Sequence, residues 1–189
     1  MADGTLKVGT ITTSSGSGTI TLGQSGETVD MTNGTITLNS SMKNTPAFKV
    51  YLGSNQSVTN STDTKINLNT EVFDTDSAFD STTNYRFTVP SGKGGKYYFG
   101  YQVWYFDANA GTSNFADVSL RINGSGDNTT LIRKYGAFTN HNLSFAGNTT
   151  LNLNAGDYVE LWSYTQFSSG TNTIKANNTV FQGYRLIGA

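Results

Sequence analysis

The chain has 189 residues, a formal net charge of -1 and no cysteine, which allows one domain plus an appendage and excludes disulfides, thiolate metal sites and a cysteine nucleophile. Charged residues make up only 13%, about half the usual share of roughly 25%, while Thr and Asn together supply about a quarter of the chain, so neutral hydroxyls and amides solvate the surface. With no basic run, the sequence argues against phosphate-driven nucleic-acid binding and against a polybasic membrane patch, and no apolar run is long enough to span a bilayer.

Residues 1–43 differ in character from the rest. The tetrad GTIT occurs at Gly9–Thr12, Gly18–Thr21 and Gly34–Thr37, and TITL at 19–22 and 35–38. Ile20 and Leu22 alternate with threonines, as in a half-buried strand, yet the segment carries too few apolar side chains to build a core of its own. It is read as an extended, β-rich attachment arm that bundles with copies of itself or docks on a partner, with a flexible Gly/Ser/Thr linker as the alternative. Its first residues lack the charged and apolar regions of an export signal, so Sec-type secretion is not expected.

Residues 44–189 read as all-β. Helical periodicity is absent, and short Val/Ile/Tyr/Phe/Thr runs alternate with Gly, Asn, Asp and Ser clusters. Strands are predicted near 46–52, 64–73, 85–89, 95–106, 115–122, 130–136, 142–145, 149–153, 157–166 and 179–187. The fourth of these lies in GGKYYFGYQVWYF, residues 94–106. Strand periodicity puts Tyr97, Phe99, Tyr101, Val103 and Tyr105 on one face and Tyr98, Gly100, Gln102, Trp104 and Phe106 on the other. A strand with one wet face turns polar on it. This one stays aromatic, and its second face calls for a cover, either another copy of the chain or a loop of the same chain over Trp104 and Phe106.

Four groups of residues in order carry a resemblance to a known family. They are Phe73–Asp74, Phe79 and FTVP (Phe87–Pro90); Gly95, Tyr97, Phe99 and Tyr101; Leu153, Gly156, Asp157 and Val159 within LNLNAGDYVELW; and Phe181, Gly183, Tyr184 and Leu186. Together they resemble the globular domain of complement C1q and its tumour necrosis factor-like relatives. Two departures stand out: SGKGG lengthens the spacer between Phe87 and Gly95, and the Phe79–Phe87 spacing is one residue long. The resemblance implies a ten-stranded jelly-roll sandwich that associates as a homotrimer. It implies core roles for Tyr97, Phe99, Tyr101, Gly95, Gly156, Asp157, Phe181 and Gly183, and a trimer interface formed by Tyr98 with Trp104 and by Phe181. The arm, with no collagen-like repeat, is similar to leaders of tailed-bacteriophage structural proteins. That likeness implies a virion protein, a tail or head fibre or a capsid decoration, attached to other virion proteins through residues 1–43, with its head exposed to a host glycan or receptor. A secreted C1q-like binding module is the alternative.

Catalytic signals are weak. His141 is the one histidine, and no nucleophile or acid is spaced to work with it; it reads as a loop residue. Asp74, Asp76 and Asp80 invite a calcium reading, but the sequence lacks the Gly and closing Glu of an EF-hand loop and reads as a capped polar turn. No cofactor is expected. Paired acids for glycoside cleavage, as in a fibre-borne depolymerase, have no cleft signature behind them. Asn-x-Ser/Thr sequons, for example at Asn60, Asn128 and Asn148, are frequent enough to arise by chance. The loops 106–115 and 123–130 offer Asn, Thr, Asp and aromatics suited to sugar hydroxyls.

Overall fold

The computed structural model describes residues 42–106, 113–126, 132–138 and 142–187, together with isolated positions between 11 and 38. His141, Asn128, most of the two candidate sugar-binding loops and most of the first two GTIT repeats lie outside the described residues. The chain divides into two units, Met1–Thr37 and Leu38–Ala189. In the first, the described positions include no strand, and Ile36 is 54% exposed. Ile20 and Leu22, which carry the strand pattern of the arm, lie outside the described residues.

The second unit holds the strands β1 (Ala47–Tyr51), β2 (Gln56–Val58), β3 (Thr64–Lys65), β4 (Thr70–Asp74), β5 (Phe79–Asp80), β6 (Arg86–Thr88), β7 (Gly95–Phe106), β8 (Ser113–Ile122), β9 (Ser125–Gly126), β10 (Ile132–Phe138), β11 (Asn142–Leu153), β12 (Tyr158–Phe167), β13 (Asn172–Ile174) and β14 (Val180–Arg185). They form two antiparallel sheets. One runs β2-β13-β7-β14-β1-β4 with β11 on the other side of β7, and the second runs β10-β8-β12-β6-β5 with β3 on β12 and β9 on β8. The expectation of ten strands gives way to fourteen among the described residues. β2, β5, β9 and β13 are two or three residues long, too short for periodicity to register. The predicted 142–145 and 149–153 are one strand. Gly147 between them reads as a break in sequence, but it pairs with Tyr101, and a Cβ there would lie 2.5 Å from Ile132 Cδ1 and 2.6 Å from Tyr101 Cζ.

The core follows from alternation. Along β7, residues 97, 99, 101, 103 and 105 are buried, and β14 pairs with β7 so that Phe181 lies opposite Tyr101 and Gly183 opposite Phe99. Phe48 sits at the centre of an aromatic cluster, its ring centroid 5.2 Å from Phe79, 5.0 Å from Phe87 and 5.1 Å from Phe181. This cluster joins β1, β7 and β14 of one sheet to β5 and β6 of the other. Each buried aromatic contributes on the order of 1.5–3 kcal/mol through its area, with offset and edge contacts adding about 0.5–1.5 kcal/mol per pair.

The motif turns are fixed by side chains. Asp157 accepts from Asn154 N at 2.7 Å and from Asn123 Nδ2 at 2.8 Å, and Asn123 Oδ1 accepts from Tyr158 N. These bonds, Asn123 first, hold the Asp157 carboxyl below the usual carboxylate range. Gly156 precedes it at φ +90°, a backbone state that suits glycine. The SGKGG spacer folds as a turn in which Lys93 N donates to Pro90 O, and Tyr97 Oη donates to Lys93 O. The extra residue between Phe79 and Phe87 falls in the loop that closes the β5–β6 hairpin.

Candidate functional site

The outward face of the β7 sheet is built by the residues that alternation turns away from the core. Tyr98 on β7 lies opposite Tyr184 on β14, and their rings sit 5.2 Å apart at 33°. Tyr98 leans along its own strand: a Cβ on Gly100 would lie 3.3 Å from its hydroxyl. Gly100 thus floors a hollow of about 400 Å³ whose lining includes Lys49, Tyr98, Gln102, Asn148 and Gln182. Strands β1, β7, β11 and β14 contain no acidic residue, and Lys49 and Lys96 both fall at outward positions. The patch is therefore aromatic and amide-rich, with positive charge at its border. Val72 and Phe73 on β4 are 56% and 47% exposed, and Phe73 pairs with Lys49 beside a bulge.

At the far end of β7, Trp104 receives a cover from its own chain. Lys175 Nζ stands 5.3 Å from the Trp104 ring and 5.7 Å from the Phe106 ring, and Lys175 N donates to Trp104 O at 2.7 Å. Trp104 is thereby half-buried, while Phe106 stays 41% exposed. The intrachain cover over Trp104 is a lysine stem and its charge.

The interface reading of Phe181 is corrected. Phe181 is fully buried and stacks on Phe99 with centroids 5.7 Å apart, so it has no surface to offer a neighbour. The residue of β14 that faces outward is Tyr184, 39% exposed. Parity contained the signal: once Phe181 and Gly183 share the inward face, Tyr184 must point the other way. Of the proposed interface residues, Tyr98 and Trp104 lie on the outward face, three repeats of the strand pleat apart, and Tyr98 is the one that Tyr184 joins.

The second sheet carries its own charged residues, and each is committed. Glu160, 4% exposed, accepts from Lys65 Nζ at 2.5 Å and from Trp162 Nε1 at 3.0 Å. Arg121 lies 4.0 Å from the Trp162 ring centroid and bridges Asp63 at 2.7 Å. Arg133 holds Asp117 through both Nε and Nη2. Among the described residues no group of three or more His, Asp or Glu side chains could hold a metal ion. Two of the three aspartates considered for calcium face backbone amides instead: Asp74 accepts from Asp76 N and Phe79 N, and Asp80 from Thr82 N, Thr83 N and Asn84 N.

No family model and no curated protein matches the chain. Among solved structures, the globular domain of zebrafish complement 1qA protein is similar at 17% identity, over 75% of this chain and 97% of that one, with a TM-score of 0.50. The Eiger TNF from S. frugiperda is similar at 13% identity, over 76% and 95%, also with a TM-score of 0.50. The two antiparallel sheets, their strand order and these likenesses converge: the chain folds as a C1q/TNF-like jelly roll.

Proposed function

We propose that this chain is a non-enzymatic, homotrimeric binding head carried on an attachment arm, and that the assembly is a structural protein of a phage virion, either a fibre or a capsid decoration. The observation that carries the trimer is the Tyr98–Tyr184 pair beside the Gly100 hollow. A partly exposed aromatic pair next to a concavity on one face suits a head-to-tail contact that closes as a ring, and the fold-level likeness supports a ring of three. Trimerisation would bury aromatic area that the monomer leaves wet, at about 25 cal/mol per Å².

Native mass of the full chain, by light scattering after size exclusion, tests the trimer. Three protomers' mass is expected, falling to one in Tyr98→Asp; a monomeric parent overturns the reading. The virion part rests on the Thr/Ser/Gly-rich composition and GTIT repeats of residues 1–43. Mass spectrometry of purified particles tests it, and absence of the protein from them overturns it. A second reading, a secreted extracellular binding module, is favoured by the animal complement and TNF proteins that share the fold. Glycan attached at Asn60 or Asn148, both exposed, would decide for it.

A further inference from the structure

A second concavity lies away from the tyrosine patch, where the β1–β2 connection meets the segment between β3 and β4. It has a volume of about 330 Å³, and its lining includes Ser54, Asn55, Ser57, Asn67, Asn69 and Tyr85. That volume is at the lower end of the roughly 300–1,000 Å³ of small-molecule sites, enough for a single sugar ring. The lining contains no Lys, Arg, His, Asp or Glu.

The amides in it are aimed. Asn69 Oδ1 accepts from Gly53 N at 2.8 Å, and Asn55 Oδ1 accepts from Ala176 N at 2.9 Å. Because an N–H must face an oxygen, both side chains are fixed with the amide NH₂ as the remaining group. Gly53 permits this close approach: a Cβ there would lie 2.4 Å from Thr70 Oγ1 and 3.0 Å from Asn69 Oδ1. Below, Ile66 and Leu68 are fully buried, which turns Asn67 and Asn69 outward. Gln56 ties the two segments together, donating to Lys65 O and accepting from Asn67 N.

Tyr85 closes the hollow from a strained backbone. Its φ is +50°, a left-handed state that a bulky residue rarely adopts and that clusters at functional sites. The preceding residues are pinned by the Asp80 carboxylate, which gathers the N–H groups of Thr82, Thr83 and Asn84.

We propose that this hollow binds a neutral sugar. An anionic ligand would find no cation in the lining, and a cation would find no carboxylate, with the Asn55 and Asn69 oxygens already engaged. An apolar ligand would strand two oriented amide donors. A pyranose satisfies them: its hydroxyls accept from the Asn55 and Asn69 NH₂ groups, exchange hydrogen bonds with the Ser54 and Ser57 hydroxyls, and its C–H face rests against the Tyr85 ring.

The inference leans on the binding-head reading only for avidity, since three copies would strengthen a weak monovalent contact. A trimer that takes no sugar overturns this proposal and leaves the trimer standing; a monomer that takes one does the reverse. The test is saturation-transfer NMR on the full chain with methyl glycosides of glucose, galactose, mannose and N-acetylglucosamine. At least one is expected to bind with millimolar affinity, and the Asn55→Asp/Asn69→Asp double variant, which keeps both backbone bonds but replaces each donor with an acceptor, is expected to bind at least tenfold more weakly. Asn67→Tyr, which fills the hollow from an exposed position, should abolish binding and serves if the double variant misfolds. No transfer to any of the four, binding unchanged in either folded variant, or transfer to N-acetylneuraminic acid alone overturns it.

Discussion

Gly183 shows how closely single residues are held. A Cβ at this position would lie 2.6 Å from Phe99 Cδ1 and 2.9 Å from Phe48 Cε1, so the glycine is required by the aromatic cluster rather than by its backbone angle. Gly183→Ala is expected to destabilise the head by about 1–3 kcal/mol, the cost of overpacking a tight core, read from urea unfolding. Phe181→Ala should cost about 3–5 kcal/mol by cavity formation. The buried tyrosines make a second residue-scale prediction. Burial pushes Tyr97 and Tyr101 each up to about 12, whereas in the unfolded chain tyrosine ionises near pH 10. The unfolded state therefore releases its protons first as pH rises. Stability from these groups is complete below pH 10 and is lost between pH 10 and about 12. Urea midpoints taken at intervals from pH 8 upward should show this fall, and Tyr101→Phe should make it shallower.

At the scale of elements, short strands depend on their turns. The β5–β6 hairpin has two paired positions, Phe79 with Phe87 and Asp80 with Arg86, and its loop is organised by Asp80. The Thr83 and Thr82 N–H groups hold that carboxyl well below the usual carboxylate range. A lowered folded pKa means that the stabilisation is present above the unfolded value near 3.9 and fades as pH falls below it. Removing the carboxylate leaves its amide partners to water, because the loop is largely exposed, so Asp80→Ala is expected to cost about 1–2 kcal/mol. Amide hydrogen exchange at Thr82 to Asn84, accelerated in the variant while β7 exchange keeps its order, is the direct measurement. The β7 strand behaves differently. Its twelve residues pair with β11 along the whole length and with β14 from Tyr97 to Gln102, so no single turn decides its survival.

For the whole molecule, the question is which side chains remain for a partner after the core is filled. Tyr98 and Tyr184 remain; Phe181 does not. Tyr184→Asp is therefore expected to dissociate the assembly as Tyr98→Asp does, with the urea midpoint of the resulting monomer little changed, whereas Phe181→Ala should lower that midpoint. Light scattering and urea unfolding on the same three variants separate an interface from a core. A Tyr184→Asp protein that keeps the parent's native mass would remove Tyr184 from the contact.

The sequence by itself determined the all-β class, the long aromatic strand and the inward row Tyr97, Phe99 and Tyr101, because a period of two is a local property that any reader of β7 can count. It also carried the Gly-Asp turn and the order of motifs from Phe73 to Leu186, since turn chemistry is local too. Only the tertiary structure decided between the core and interface roles of Phe181, and showed that Lys175 covers Trp104 and that Gly53 lets Asn69 turn its amide outward. Each of these depends on which strands lie side by side, a long-range pairing that no window along the chain contains. The short strands β2, β5, β9 and β13 escaped for the same reason: two or three residues hold a strand conformation only because a neighbour already in place accepts their hydrogen bonds.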